Sequence, residues 1–168
     1  KRPETGIWFR AIQPHFMPAH LSTAYTTRVS SRFSDPSSAS PTYQILYLAE
    51  NPNVALFEVQ ALLGSPATPG GVIPHPRRAY TVLNIRVSLS AIVDLTDVGE
   101  QSRIDTNAQE LTGDWKGYEL RSLTGVSITA PTGPAPTQKL GSALHNLPDL
   151  EGFCTLSARV PYEKVLVL

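Results

Sequence analysis

The sequence predicts a single α+β domain, on three observations. Strand-like and helix-like runs are mixed along the chain without repeats, 168 residues fit one ordinary domain, and Pro/Gly-rich stretches separate the runs. A chain of this length buries about 70% of its unfolded surface and needs no disulfide staples. One unit over residues 1–168 is the expected organisation.

Taken in order, Gly6 to Ile12 predicts a first strand, followed by a polar Ser/Thr/Pro loop from about His15 to Pro41. Gln44 to Ala49 predicts a second strand. It leads into a short helix with Asn51 as N-cap, Pro52 at the first helical position and Gly64 just beyond the end. From Gly64 to Pro76 the four prolines argue against helix and central strand, so this segment is expected to be a long surface loop or flap. Tyr80 to Val87 and Ala91 to Leu95 are β-rich, and Gln101 to Leu111 is a helix candidate. After a second Pro/Gly stretch at Ala130 to Pro136, the segment Thr137 to Leu147 spaces Leu140, Leu144 and Leu147 as a helix would. Phe153 to Val160 and Lys164 to Leu168 close the chain as strands, the last expected to be central because it is nearly all apolar.

Composition excludes several classes of function. Fourteen basic residues balance fourteen acidic ones, so no net field favours nucleic acid or an anionic membrane. No apolar run has the length of a spanning helix, and Lys1-Arg2 is not followed by a signal-peptide core. The single cysteine, Cys154, suits a reducing compartment and is expected to be a small buried residue, so a cytoplasmic location is expected. The four histidines, His15, His20, His75 and His145, have no ligand spacing with cysteines or carboxylates, so no metal is expected. Phosphate-loop, dinucleotide-fold and nucleophile-elbow glycine patterns are all missing.

One residue stands out against its surroundings. Glu58 has Val54, Ala55, Ala61 and Leu62 as its neighbours one helical turn away, which places a carboxylate on the apolar stripe. Burying an unpartnered carboxylate costs several kcal/mol or raises its pKa. Either an arginine pairs with Glu58 for structure, or the charge has a use. Four more polar residues join it as candidates: Arg10 in the first strand, Arg32 in Ser31-Arg-Phe-Ser34, Tyr47 in the second strand, and Ser157 in a late strand. Each alone has an ordinary structural explanation.

Their order is more specific. Arg32-Phe33, Leu46-Tyr-Leu-Ala-Glu50, Ala55-Leu-Phe-Glu-Val59, Thr137-Gln-x-Leu-Gly141 and Ser157-Ala-Arg159 together resemble the RES domain family, named for its arginine, glutamate and serine. The resemblance runs from Trp8-Phe-Arg10 to Val165-Leu-Val-Leu168. Phe33 and Ser34 stand where tryptophan and asparagine are common, Ser31 where glycine is usual, and Lys164 near a frequent asparagine. The resemblance implies an ADP-ribosyltransferase-like mixed β-sheet core with flanking helices and the toxin of a bacterial toxin–antitoxin module that consumes NAD. It implies Glu58, Arg32, Tyr47 and Ser157 as the catalytic set, with Arg10, Arg32, Tyr47 and Phe33 binding NAD. NAD is then a substrate, and no cofactor is implied.

The chemistry follows from the charges. Cleaving the N-glycosidic bond of NAD leaves an oxocarbenium-like ribose, which a fixed carboxylate such as Glu58 stabilises. Arg32 and Arg10 suit the pyrophosphate because guanidinium binds it in bidentate fashion. Tyr47 offers a flat face to the nicotinamide or the ribose, and Ser157 a hydroxyl to orient Glu58 or the substrate amide. The acceptor is open between water, phosphate and a protein side chain. A protein ADP-ribosyltransferase on the same site and a non-catalytic binding module on the same fold are the alternatives. Resemblance also implies an antitoxin with a DNA-binding domain as partner, and a homodimer is a further possibility; direct contact with nucleic acid or membrane is not expected.

Overall fold

The computed structural model describes residues 1–38, 42–124 and 131–168. Residues 39–41 of the predicted polar loop, and residue 130 at the start of the second Pro/Gly stretch, lie outside the described residues. The fold is α+β, built on five strands: β1 (Arg2–Ile12), β2 (Tyr47–Ala49), β5 (Thr81–Asp94), β6 (Gly152–Leu156) and β7 (Lys164–Val167). They close into a barrel in the order β1-β2-β7-β6-β5, with only β5 and β6 parallel. Closure gives every strand of the barrel two neighbours and removes open edges. The terminal strand β7 lies between β2 and β6, as its apolar sequence predicts.

The two sides of the strands carry separate cores. Trp8, Leu48, Val87, Ile92, Cys154 and Leu166 form a cluster drawn only from barrel strands, which is the barrel interior. Cys154 is 1% exposed, and burial pushes its thiol up to about 12. Phe33, Ala49, Val54, Ala55, Leu111, Leu144, Phe153 and Val165 form the other cluster, where helices cover the outer face. Period-2 alternation assigns Tyr47 and Ala49 to this outer side and Leu48 to the interior.

The two β-rich runs around residues 80–95 are one strand. The register passes from Glu4↔Leu89 to Arg2↔Ile92, so β5 carries one extra residue there. Such a bulge reverses the alternation, which is why Val87 and Ile92 both face the interior.

The helical elements are α1 (Pro52–Glu58), α2 (Val98–Arg103), α3 (Ala108–Leu111), α4 (Trp115–Thr124) and α5 (Pro136–His145). The Gln101 to Leu111 helix is broken into the end of α2 and α3, with Asp105 at φ 54 between them. In α5, Leu144 is buried but Leu147 is 45% exposed and lies past the helix end. The predicted proline-rich flap is a hairpin: β3 (Leu62–Gly64) pairs with β4 (Val72–Pro74). Proline is tolerated because this is a separate two-stranded ribbon, where a missing N–H leaves no central ladder unpaired. The loop after His15 holds 3-10 turns at Pro14–Ala19 and Ala24–Arg28.

Candidate active site

Glu58 is placed by the two ends of α1. At the start, the Asn51 side chain accepts from Val54 N at 3.0 Å and donates to Glu163 at 2.8 Å, with Pro52 at the first helical position. The helix stops earlier than Gly64. Gln60 takes the left-handed conformation at φ 60, and Ala61 N bonds Leu56 O at 2.8 Å while Gln60 N bonds Phe57 O at 3.0 Å. This is a Schellman ending with glutamine where glycine is usual. Glu58 is therefore the last helical residue, a half-buried carboxylate at the negative end of the helix dipole.

Its partner is Ser157, which donates from Oγ to Glu58 Oε1 at 2.6 Å. Among the described residues, Glu58 Oε2 enters no hydrogen bond. Ser157 is not in a strand, as its sequence predicts, but one residue past β6. There the chain turns, and Ser157 Oγ accepts from Arg159 N at 3.1 Å and Val160 N at 3.0 Å, while Ser157 N bonds Glu163 O at 2.7 Å. The hydroxyl is thus fixed as an acceptor toward the turn and a donor toward Glu58, at only 3% exposure.

Arg32 enters from a tight reversal in which Ser31 N bonds Ser34 O at 2.8 Å. The arginine is 5% exposed, and Nη1 donates to Leu156 O at 3.0 Å, next to Ser157, and to Leu111 O at 3.4 Å. Its guanidinium lies 4.8 Å over the Phe33 ring. Burial lowers the pKa of the guanidinium, opposed by the negative charge of Glu58. The two charges feel each other without an ion pair: among the described residues the salt bridges are Arg2 with Glu4 and Asp94, and Arg103 with Glu100. A structural Arg32–Glu58 pair is therefore absent, and Arg32 Nη2 is buried with no hydrogen-bond partner. Buried donors without partners are rare enough to require an explanation.

Tyr47 organises that reversal. Its hydroxyl accepts from Phe33 N at 3.1 Å and shares a 2.9 Å bond with Ser31 Oγ. Burial pushes the phenol up to about 12. The residue as a whole stays half-buried. Phe33 is fully buried, edge-on to Phe153 at 4.9 Å, so in this arrangement it supports Arg32 from beneath and presents no surface of its own to a ligand. The structure thus links Tyr47, the Arg32 reversal, the β6 end, Ser157 and Glu58 by direct contacts. Arg10 stands apart: it shares the strand parity of Trp8, opposite Phe9, and donates to His20 O at 2.7 Å.

Two clefts lie among the described residues. One of about 50 Å³, lined by residues including Phe33, Tyr43 and His145, lies on the α5 side. The other, of about 350 Å³, is lined by residues including Glu110, Asp114, Trp115, Tyr118 and Thr137. Neither is lined by Glu58, Tyr47 or Ser157. Sequence reasoning gave no role to Ser31, which bonds Tyr47 from within the Arg32 reversal, or to Tyr43 and Gln138, which bond that reversal from other elements. For Gln138 the Thr137-Gln-x-Leu-Gly141 pattern was the available signal; for Ser31 and Tyr43 there was none. No helix among the described residues is long and apolar enough to cross a membrane. Comparison with protein-family models matches the RES domain over residues 7–168. Comparison with curated proteins finds no match.

Proposed function

The chain belongs to the RES domain family, whose members are generally toxins of toxin–antitoxin systems acting on NAD, and from that premise we propose that it cleaves the nicotinamide N-glycosidic bond of NAD. The observation that carries the proposal is the 2.6 Å bond from Ser157 to Glu58 Oε1, which fixes the carboxylate and leaves Oε2 unbonded. In the reaction the bonding pair leaves with nicotinamide, which becomes neutral, and positive charge develops on the ribose. Glu58 stabilises that charge, and its placement at a helix C-terminus means the charge is tolerated there for use and not for stability. Water then attacks the anomeric carbon and gives ADP-ribose and a proton; phosphate in place of water would give the phosphorylase reaction.

Arg32 supports the anionic half of the substrate. Its Nη2 lacks a protein acceptor, a deficit that a pyrophosphate or ribose oxygen makes good. Tyr47 sets the arginine turn and offers a face of its half-buried ring to the nicotinamide or the ribose. No metal or cofactor enters this scheme. A protein acceptor is the second reading, favoured by the β3–β4 hairpin that starts at Leu62, close after Glu58, and exposes Ile73 at 58%. RES toxins typically pair with antitoxins. For this chain we propose an antitoxin with a DNA-binding domain that covers Glu58 and its surroundings, and assembly as a homodimer is compatible with it.

The test is incubation of the purified chain with adenylate-labelled NAD, with free nicotinamide measured by chromatography and label on protein by gel. Nicotinamide with free ADP-ribose supports hydrolysis; nicotinamide with labelled protein supports transfer. A folded chain that releases no nicotinamide removes the proposal.

A further inference from the structure

We propose that Gln138 is the positioning residue for Arg32, a role that rests on Arg32 serving the NAD site. Gln138 is 5% exposed at the third position of α5, and both ends of its amide are committed. Oε1 accepts from Ala135 N at 2.8 Å, at the start of its own helix. That leaves the amide hydrogens facing the arginine reversal, where Nε2 donates to Ser31 O at 3.0 Å and lies 3.5 Å from Ser34 O. One helical turn on, Gly141 removes the side chain that would keep the helix away. A Cβ there would lie 2.0 Å from Phe33 O and 2.8 Å from Phe33 C. Glycine is a poor helix former relative to alanine, so its presence here matches a close backbone approach and not helix propensity.

The reversal is consequently gripped from separate elements. Gln138 holds Ser31 O and Ser34 O from α5, Tyr47 holds Phe33 N from β2, and Tyr43 donates to Phe33 O at 2.6 Å. From this frame Arg32 sends its side chain toward Leu156 O beside Ser157. Gln138 is the frame member that no ligand needs to touch: its amide is buried and spent on backbone. Its effect on the reaction is transmitted through the position of the guanidinium.

The test compares the parent, Gln138→Met, Arg32→Ala and the double variant, with kcat and KM for NAD cleavage. Methionine keeps the length and packing of glutamine and removes the amide. A guanidinium displaced by about an ångström lowers kcat/KM on the order of 10²-fold in Gln138→Met. In the Arg32→Ala background the same substitution changes the rate by less than about twofold, because the group it positions is gone. Equal losses in both backgrounds overturn the proposal, since Gln138 would then serve the fold in general. The side-chain ¹H–¹⁵N resonances of Arg32, identified by their loss in Arg32→Ala, give a readout independent of turnover. They shift in Gln138→Met if the proposal holds, and unchanged resonances overturn it. A parent chain that does not cleave NAD defeats the functional reading alone, and the spectrum still decides the positioning role. If Gln138→Met does not fold, Gln138→Glu replaces it in both measurements: it keeps the acceptor for Ala135 N and turns an oxygen toward the Ser31 and Ser34 carbonyls. The same shift in the Arg32 resonances is expected, and its absence counts against the proposal.

Discussion

Removing the Ser157 hydroxyl is the perturbation whose consequences the geometry specifies most fully. Ser157→Ala deletes the donor to Glu58 Oε1 at 2.6 Å and the acceptor for Arg159 N and Val160 N. A hydrogen bond to a charged group contributes about 1.5–3 kcal/mol and a neutral one about 1 kcal/mol. Arg159 is exposed and Val160 half-buried, so water replaces part of what their amides lose. The expected net destabilisation is about 2–3 kcal/mol, which lowers Tm by roughly 4–12 °C for a domain of this size. Turnover should fall more than stability does, on the order of 10²-fold, because Glu58 loses the group that orients it. The assay is a double-mutant cycle with Glu58→Gln, reading Tm by circular dichroism and nicotinamide release. Coupling of about 0.5–3 kcal/mol in stability between the two positions is expected for groups in direct contact. If Ser157→Ala and Glu58→Gln are strictly additive in both readouts, the 2.6 Å contact does not bear on the site and the reasoning fails.

Three other outcomes follow from the same structure. Glu58→Gln keeps an oxygen to accept from Ser157 but trades a charge-assisted bond for a neutral one, a loss offset in part by removing a charge from the negative end of α1, so Tm should change by the equivalent of about 1 kcal/mol or less while turnover collapses; a fall in Tm as large as that of Ser157→Ala would point to a structural carboxylate. Arg32→Ala strands the Leu111 and Leu156 carbonyls and opens a cavity, so it lowers Tm as well as NAD affinity, whereas Arg32→Lys retains more of both; equal NAD affinity in calorimetric titrations of Arg32→Ala and the parent would exclude Arg32 from the binding site. Alkaline stability should decline from about pH 9, since burial raises Cys154 from 9.0 and Tyr47 from 10.0, each to about 12. Folding favours both neutral forms, so this contribution is complete below the unfolded values and is lost as pH rises toward 12; in thermal melts Cys154→Ala should delay the onset, and a flat profile to pH 12 would contradict it.

The parts of the fold legible in the sequence are those set by local chemistry. Asn51 and Pro52 mark the start of α1 because a capping oxygen and a missing N–H are local requirements, and the apolar terminal strand announces its central place. What escaped is set by distant partners. The bulge in β5 is defined against β1, so the reversal of alternation between Leu89 and Ile92 looks in the sequence like two strands. The end of α1 at Gln60 escaped because a left-handed glutamine has no signature, and Gly64, the expected stop, belongs to β3. Helix α4 was not anticipated, and α2 with α3 reads as one element until Asp105 is seen at positive φ.

The site divides along the same line. Glu58 was visible because a carboxylate on an apolar helical stripe conflicts with its neighbours, and the conflict is local. Ser157 was visible only through the order of short motifs, and its placement in a turn beyond β6 depends on Arg159 and Val160 closing onto its hydroxyl. Arg32 looked like a loop arginine; its burial comes from α3, β6 and α5 meeting around it. Arg10 had the right residue type, but strand parity decides its direction, and that parity sends it toward His20.

On the proposed function, Glu58, held by Ser157 beside Arg32, makes this chain cleave the nicotinamide bond of NAD. The most direct test is the time course of nicotinamide release at saturating NAD from the parent and from Glu58→Gln, both verified as folded by their melting curves. Sustained release by the parent and a rate lower by on the order of 10²-fold or more in Glu58→Gln is the predicted result. Release at equal rates by the two proteins, or none from the folded parent, would contradict it.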